Sequence, residues 1–369
     1  MKYKQYTYKN HNGEEQERIR THRYERDAAQ MKTIINGVIL PDELYVQDGE
    51  SVSAMTINPM EVLYAGPMSD NWGFFFVESL SRLWPIVENG LTCKIAIPVQ
   101  RSESDIWGTH TNRMKELLGW LSLREENLVL ITKPTRFKSV IVPEDTFHHL
   151  EIPTYGHKTP FAYAERVGNN DDFIFRQQYA AIYDAIAAHC DVDVPGYEKI
   201  YLSRTRLKQN KEIGELYFEE CFKANGFAIV YPEQLSISEQ IGYMKHCKEL
   251  ASIEGTLAHN VLFTTRCERQ IILRKQSEII PRQSMINQAK NVPIQYVDVY
   301  YEPIKSFPLS HSKGPFWIRV NENWMEFVKD EGWKVNKPKK MYTIICAIQY
   351  YYRCIVAYGQ YLVKKVHVK

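Results

Sequence analysis

The fold of this chain is decided by two stretches, Lys199-Ile-Tyr-Leu-Ser-Arg204 and Leu250-Ala-Ser-Ile-Glu-Gly-Thr-Leu-Ala-His-Asn-Val-Leu-Phe263. Each begins as a short apolar strand and ends in polar, small or basic residues where a helix is expected to start. In an open α/β sheet, strand ends face a crevice and helix N-termini present free N–H groups, so phosphates bind there. Two such ends in one half of the chain predict a phosphorylated ligand held by a Rossmann-like domain.

Composition narrows the class of protein. The 369 residues suffice for two domains, and 44% hydrophobic with 24% charged residues is typical of a globular protein. A net charge of +2 gives no basic surplus for nucleic acid. Seven scattered cysteines without a CxxC pair favour neither a zinc site nor disulfides, and predict a cytoplasmic location. The first residues lack the apolar core of a signal peptide, and no uncharged apolar run is long enough to span a membrane.

Alternating short strands and helices predict an α/β fold in which strands pair in parallel through right-handed crossovers. The periodicity breaks at Cys190-Asp-Val-Asp-Val-Pro-Gly196, which we interpret as a linker. The predicted segments are a polar N-terminal arm, two Rossmann-like domains that face a cleft, and a C-terminal helical extension, over residues 1–33, 34–190, 197–305 and 306–369.

The first half carries one segment with a chemical signal. Asn71 to Asn89 is predicted as a single helix capped by Ser69 or Asp70, and Phe74, Glu78 and Arg82 then share one face. In such apolar company Glu78 could have a raised pKa and act as a general base. The alternative is an internal Glu78–Arg82 ion pair that only holds the helix in place.

The second half carries the basic strand end. Arg204 follows the strand, where its guanidinium could fork onto phosphate oxygens, and Lys208 and Lys211 follow in a basic loop. The alternative is a surface arginine that closes the strand. Glu215 lies just inside the next helix, and an acid in a first turn is by itself ordinary matching of the helix dipole.

The other strand end is rich in small and polar residues. Gly255 would let a ligand approach the backbone closely, and Thr256 could donate to a phosphate. His259 and Asn260 could contact a diphosphate or a base edge, although a lone histidine in a helix is also a common structural residue.

Three common nucleotide-binding or hydrolase motifs are absent from the sequence, and a formal DxD lies in the linker. The chain has no GxGxxG, GxxxxGK[ST] or GxSxG, so a dinucleotide fingerprint, a P-loop and a hydrolase elbow are excluded. Asp191-Val-Asp193 has the form of a metal-binding DxD, but its place in the linker favours solvated loop acids.

Together these segments resemble the family 61 glycosyltransferases. The first motif is matched by Phe75, Glu78, Leu80, Arg82 and Leu83, the second by Ser203, Arg204, Lys211, Ile213 and Glu215, and the third by Gly255, Asn260 and Phe263. Phe74 stands where the family usually has a histidine.

The resemblance implies a GT-B protein that transfers a sugar with inversion, without a metal or a further cofactor, from a nucleoside diphosphate donor such as a UDP-sugar. The implied acceptor is a hydroxyl of a capsular or surface glycan, or of a lipid-linked oligosaccharide. Glu78 or Asp70 would be the base, and the donor would be held by Arg204, Lys211, Glu215, Gly255, Thr256, His259 and Asn260. A non-catalytic relative that binds nucleotide or glycan, and another two-domain α/β enzyme with a phosphorylated substrate, are the alternatives.

The tail, residues 337–369, has its own pattern. A helix is predicted there with one stripe of Ile344, Ile348, Tyr351, Ile355, Tyr358 and Leu362, with lysines at both ends. Such a helix could lie peripherally on an anionic membrane surface at the inner face of the cell membrane. Alternatively, the stripe packs on the first domain.

Overall fold

The computed structural model describes residues 4–6, 28–40, 55–66, 68, 72–98, 110–149, 173–208, 210–277, 281–304 and 314–367. The chain divides into two compact units. The N-terminal unit comprises residues 21–191, and the C-terminal unit comprises residues 192–369 together with residues 1–20. Each unit contains its own β-sheet, so the mixed α/β class predicted from the sequence is confirmed.

The N-terminal unit is built on a six-stranded sheet of order β2-β7-β4-β5-β6, with β3 beside β7. The strands are numbered along the chain, and β1 (Lys4–Tyr6) belongs to the other unit. The described strands of this unit are β2 (Met31–Ile35), β3 (Val38–Ile39), β4 (Thr56–Tyr64), β5 (Lys94–Pro98), β6 (Leu128–Ile131), β7 (Thr135–Pro143), β8 (Phe147–His149) and β9 (Phe173–Phe175). Its described helices are α1 (Trp72–Val77), α2 (Trp84–Asn89), α3 (His110–Trp120) and α4 (Gln178–His189), with 3-10 turns at Ser79–Arg82 and Glu125–Asn127.

Strands β4, β5, β6 and β7 of this sheet run parallel, whereas β2 and β3 join β7 in antiparallel pairs. The apolar strand β5 is almost entirely buried, as expected for a parallel strand covered on both faces. Val62, Ala96, Phe137 and Val140 contribute to a core cluster on this sheet.

The segment predicted as one helix from Asn71 to Asn89 is broken, so that prediction is wrong. It forms α1, a 3-10 turn and α2 in succession. Pro85 is the second residue of α2 and has no N–H with which to continue a preceding helix. The Ser81 Oγ donates to the carbonyl of Glu78 at 2.5 Å, which favours the turn over a continuous helix.

The C-terminal unit is built on a parallel six-stranded sheet of order β1-β15-β14-β13-β10-β12. Its strands are β10 (Lys199–Leu202), β11 (Glu212–Ile213), β12 (Ala228–Val230), β13 (Glu249–Ile253), β14 (Arg269–Arg274), β15 (Ile294–Asp298) and β16 (Phe316–Trp317). Its described helices are α5 (Glu215–Ala224), α6 (Ile237–His246), α7 (Pro281–Lys290), α8 (Glu322–Asp330) and α9 (Lys340–His367), with 3-10 turns at Pro232–Gln234 and Thr256–Phe263.

The order of these strands creates a switch point. From β10 the chain passes to β12 on one side and then crosses to β13 on the other side of β10. Neighbouring connections therefore leave β10 and β13 in opposite directions, which opens a crevice at their carboxyl ends. Arg204 and Gly255, the two strand ends singled out from the sequence, follow these two strands.

The core of the C-terminal unit is aromatic. Phe218 and Phe222 of α5 contact Trp324 of α8, with ring centroids 4.9 and 6.0 Å apart, and Tyr201 of β10 stacks on Phe222. Fully burying such a side chain contributes about 1.5–3 kcal/mol. Helix α5 is thereby fixed against β10, which places the start of α5 beneath the end of that strand.

The two ends of the chain contain regular structure. Residues 1–33 were predicted as a polar arm, but β1 pairs with β15 and β2 begins at Met31; the intervening residues 7–27 lie outside the described part. At the other end, the predicted tail helix is present as α9, which packs on β11 and β16.

Gly214 lies directly before α5, where the chain passes close to the residue that follows β16. It has φ +98°, and a Cβ there would lie 2.2 Å from the carbonyl oxygen of Ile318. Gly226 also has a positive φ, +88°, but a Cβ there meets nothing within 4 Å. We expect Gly214→Ala to lower the free energy of unfolding by more than about 3 kcal/mol, and Gly226→Ala by about 1 kcal/mol. Denaturant titrations of both variants measure this; equal losses would contradict the clash.

Candidate functional site

A pocket lies at the switch point of the C-terminal sheet. Its volume is about 340 Å³, within the range of roughly 300–1,000 Å³ that is typical of small-molecule sites. Elements β10, β11, β14 and β16 and their loops supply its walls, which consist of Arg204, Leu207, Lys208, Lys211, Glu212, Lys275 and Phe316. Four of these side chains are basic and one is acidic.

A compact ion cluster forms the floor of the pocket. Lys275 Nζ lies 2.6 Å from Glu212 Oε1, and Arg204 Nη1 lies 3.4 Å from the same oxygen. Lys275 also lies over the ring of Phe316, 4.3 Å from its centroid. The single carboxylate is shared by two cations, so the cluster retains positive charge that an anionic ligand could neutralise.

Burial and charge act against each other on these groups. Burial raises the pKa of Glu212, but the Lys275 and Arg204 cations outweigh it and hold the pKa of that carboxyl below its usual value. Burial lowers the pKa of Lys275, and attraction to Glu212 only partly opposes this effect. Glu212 is therefore the anion that favours the charged form of this buried ammonium.

Gly255 brings backbone close to the same cations. Its φ is +131°, and a Cβ there would lie 3.5 Å from Lys275 Nζ and 3.9 Å from Arg204 Nη2. Only glycine adopts this conformation without strain. The structure thus brings Arg204 and Gly255 together, as the parallel pairing of β10 with β13 requires, and the 3-10 turn from Thr256 begins beside them.

Glu215 lies beneath the pocket and does not line it. Its Oε1 accepts from the backbone N–H of Arg204 at 3.0 Å and from the hydroxyl of Tyr201 at 3.2 Å. Burial raises the pKa of Glu215 to about 8, although the bond from Arg204 opposes that rise. Glu215 therefore positions the backbone that carries Arg204.

A third buried carboxylate, Glu219, orders the loop after β10. Glu219 accepts from Ser203 Oγ at 2.6 Å, Thr205 Oγ1 at 2.5 Å and Tyr231 hydroxyl at 2.7 Å. The guanidinium of Arg206 stacks over Tyr231, 3.9 Å from the ring centroid. Ser203 and Thr205 are thus held inward, while Arg204 between them points to the pocket.

His259 and Asn260 hold the turn after β13 and do not line the pocket. His259 Nδ1 bonds to Gln283 Oε1 at 2.6 Å, and burial lowers its pKa to about 4, so the imidazole is neutral at pH 7. Asn260 Nδ2 donates to the carbonyl of Leu257 at 3.0 Å. These contacts agree with the alternative given in the sequence analysis, in which His259 is a structural residue.

The candidates in the N-terminal unit form a separate group. Glu78 is half-buried where α1 ends, and its charge contributes to a raised pKa of Tyr183 that is caused mainly by burial. Arg82 pairs with Asp145, and its Nη1 occupies the space that a Cβ at Gly66 would need. Asp70 and the side chain of Phe74 lie outside the described residues.

The remaining acidic pair stays in solvent. Asp191 and Asp193 are both exposed in the linker. Within the described ranges, no group of three or more histidine, cysteine, aspartate or glutamate side chains is arranged to hold a metal ion. Over the same ranges, no helix combines the length and apolarity needed to cross a bilayer.

The model of the glycosyltransferase 61 family matches residues 72–272, which is more than half of the chain. The chain belongs to glycosyltransferase family 61. Membership supports a glycosyltransferase activity, with a nucleotide sugar as the donor and a glycan as the acceptor in general terms. No curated protein matches the chain.

The matched stretch of this family 61 protein spans both groups of candidate residues. It begins at α1, just before Glu78, and contains Arg204, Glu212 and Gly255. It ends at residue 272 within β14, three residues before Lys275.

Sequence reasoning missed Lys275, Glu212 and Phe316. Lys275 directly follows an apolar strand, which is the signal that identified Arg204, so the same rule could have found it. The neighbouring Arg274 points the other way and forms a buried pair with Asp298, 2.9 Å apart. Glu212 and Phe316 carried no such signal, because they reach the pocket only through the pairing of β11 with β16.

The buried Glu215 makes stability depend on pH. Its pKa is about 8 in the folded protein and 4.5 as an ordinary value, so the folded state holds a proton that the unfolded state releases between these limits. Stability from this group is present below pH 4.5 and is lost as the pH rises towards 8, at up to about 1.4 kcal/mol per pH unit.

Glu215→Gln should retain the acceptor for Arg204 and Tyr201 but not the titration. We expect its melting temperature relative to the native protein to rise steadily with pH across that window. Glu220→Gln, on the exposed face of the same helix, is the matched control. A pH-independent difference for Glu215→Gln would show that Glu215 is ionised when folded.

Proposed function

We propose that this family 61 protein is an inverting, metal-independent glycosyltransferase of GT-B arrangement, in which the C-terminal unit binds the nucleoside diphosphate of the donor. The observation that carries the proposal is the pocket at the β10–β13 switch point. There Arg204, Lys208, Lys211 and Lys275 face a single carboxylate, Glu212, beside the glycine-started turn. Phosphate oxygens are the ligands that such a set of donors recognises best.

The same groups provide the chemistry of the leaving group. When the bond from the anomeric carbon breaks, negative charge develops on the departing diphosphate. Arg204 and Lys275 are fixed in place by Glu212, so they can stabilise that charge without reorganising. This positive charge can do what a divalent cation does in other transferases, which supports a metal-independent reaction.

The acceptor side is assigned to the N-terminal unit. An inverting transfer needs a base that removes the proton from the acceptor hydroxyl. Glu78 is proposed for this role because it is half-buried and matches the family motif, with Asp70 as the other candidate. The proposed donor is a UDP-sugar, and the proposed acceptor is a capsular or surface glycan, reached on the cytoplasmic side.

The second candidate function is binding without catalysis, in a polysaccharide assembly complex. Phe74 favours it, because this residue replaces the histidine expected at that place of the motif. The pocket would then hold a nucleotide but support no transfer.

Diphosphate binding is tested by calorimetric titration with UDP and with uridine. We expect UDP to bind and uridine not to bind measurably. The double variant Lys208→Ala/Lys211→Ala removes two exposed cations of the pocket wall and should raise the Kd for UDP roughly tenfold or more. The control Lys223→Ala/Lys329→Ala removes two exposed lysines from α5 and α8 and should leave the Kd unchanged. If both double variants lost the same affinity for UDP, the effect would come from net charge alone, and the proposal that UDP binds in this pocket would be wrong.

Catalysis is tested by donor turnover. If Glu78 is the base, Glu78→Gln should lower kcat by roughly 100-fold or more and leave UDP affinity unchanged, because the donor site lies in the other unit. Thermal denaturation of the variant controls for folding. Binding of UDP-sugars by the native protein without any turnover would favour the non-catalytic alternative.

A further inference from the structure

Helix α9 packs on the C-terminal unit with one face and turns its most apolar face away from that unit. The helix has 28 residues and a length of about 42 Å. It is held by Cys346, Tyr350 and Cys354, which are four residues apart and pack against Ile213 and Trp317. Arg353 adds a hydrogen bond to the carbonyl of Asn210.

The opposite face is continuous and apolar. At about 100° per residue, Ile348 and Ile355 lie opposite the packed face, and they are 64% and 72% exposed. The exposed large apolar side chains of this face are Met341, Ile344, Ile345, Ile348, Tyr351, Tyr352, Ile355, Val356, Tyr358, Leu362 and Val363. This face includes the stripe predicted from the sequence. An apolar surface of this size normally has a partner.

The charges around this face identify the partner. Residues 332–369 contain no aspartate or glutamate. Lys337, Lys339 and Lys340 are exposed before and at the start of the helix, and Lys364, Lys365 and Lys369 follow at its end in the sequence. A second copy of the helix would bring like charges together, which disfavours self-association through this face.

We infer that α9 is an interfacial membrane helix, which lies in the plane of an anionic leaflet with its exposed apolar face in the acyl boundary. Aliphatic residues enter the boundary, tyrosines lie at the headgroup level, and the exposed lysines at the start of the helix contact anionic headgroups. The face with Cys346, Tyr350 and Cys354 remains packed on the C-terminal unit, so the helix lies on the bilayer and does not cross it.

This placement holds the pocket close to the leaflet. The short strands β11 and β16 pair Glu212 with Phe316 and Ile213 with Trp317. Because successive side chains of a strand point to opposite faces, the first pair lines the pocket while the second pair supports α9. If the proposed function holds, a docked helix would favour an acceptor presented by the bilayer, such as a lipid-linked glycan.

Vesicle flotation of the full chain tests the membrane contact without reference to activity. We expect the native protein to float with vesicles of phosphatidylcholine and phosphatidylglycerol, and to float much less with phosphatidylcholine alone. Ile348→Glu/Ile355→Glu should reduce the bound fraction roughly tenfold or more. Gln349→Glu/Gln360→Glu adds the same charges at exposed polar positions of the same helix and should retain most of the binding.

Melting temperatures control for folding, since all four positions are exposed. Flotation of Ile348→Glu/Ile355→Glu at the native level would overturn the inference. The inference would also be overturned if the native protein did not bind anionic vesicles but formed a dimer, and the Ile348→Glu/Ile355→Glu variant were monomeric. The exposed face would then be covered by a second copy of the chain. Failure of UDP to bind would leave the flotation result unaffected, so the two proposals fail separately.

Discussion

The geometry of the pocket in the C-terminal unit depends on one buried carboxylate that two cations share. Glu212 is almost inaccessible to solvent, yet it stays ionised because Lys275 and Arg204 both approach its Oε1. Moving charges out of water is costly, and removing one partner of such a cluster typically costs about 3–5 kcal/mol because a charge is left uncompensated. The cluster is therefore a poor source of net stability but a strong constraint on geometry. It joins the ends of β10 and β14 to β11.

That constraint explains why the acidic residues near the pocket have different protonation states. Glu212 faces cations and remains charged, whereas Glu215, three residues later, faces a backbone N–H and a tyrosine hydroxyl and has a pKa of about 8. One carboxylate balances the basic pocket, and the other supports the backbone beneath it. Glu215 therefore lies close to the basic pocket at neutral pH without adding a second negative charge to Glu212.

The sequence predicted the parts of this site that depend on local pattern. Arg204 and Gly255 each end an apolar strand, and their meeting follows from the parallel pairing of those strands. His259 showed the limit of this reasoning, because only the packing of α7 places Gln283 against its ring. Glu212 and Phe316 could not be found, since their roles depend on a pairing between segments that are far apart in the chain. The break in the helix at Glu78 was missed because the apolar periodicity hid the effect of Pro85.

The tail helix posed a different difficulty. Apolar and aromatic residues occur on both of its faces, so periodicity alone could not say which face is packed. The structure selects Cys346, Tyr350 and Cys354, whose neighbours Ile213 and Trp317 were not predicted.

The two-residue ribbon of β11 and β16 has a consequence for how this protein can vary. Inserting or deleting one residue in either strand would exchange its two faces. Ile213 would then replace the carboxylate opposite Lys275, and Glu212 would be pressed against the ring of Tyr350. Insertions are therefore excluded from this short segment even though it lies between loops, where changes in length are usually tolerated.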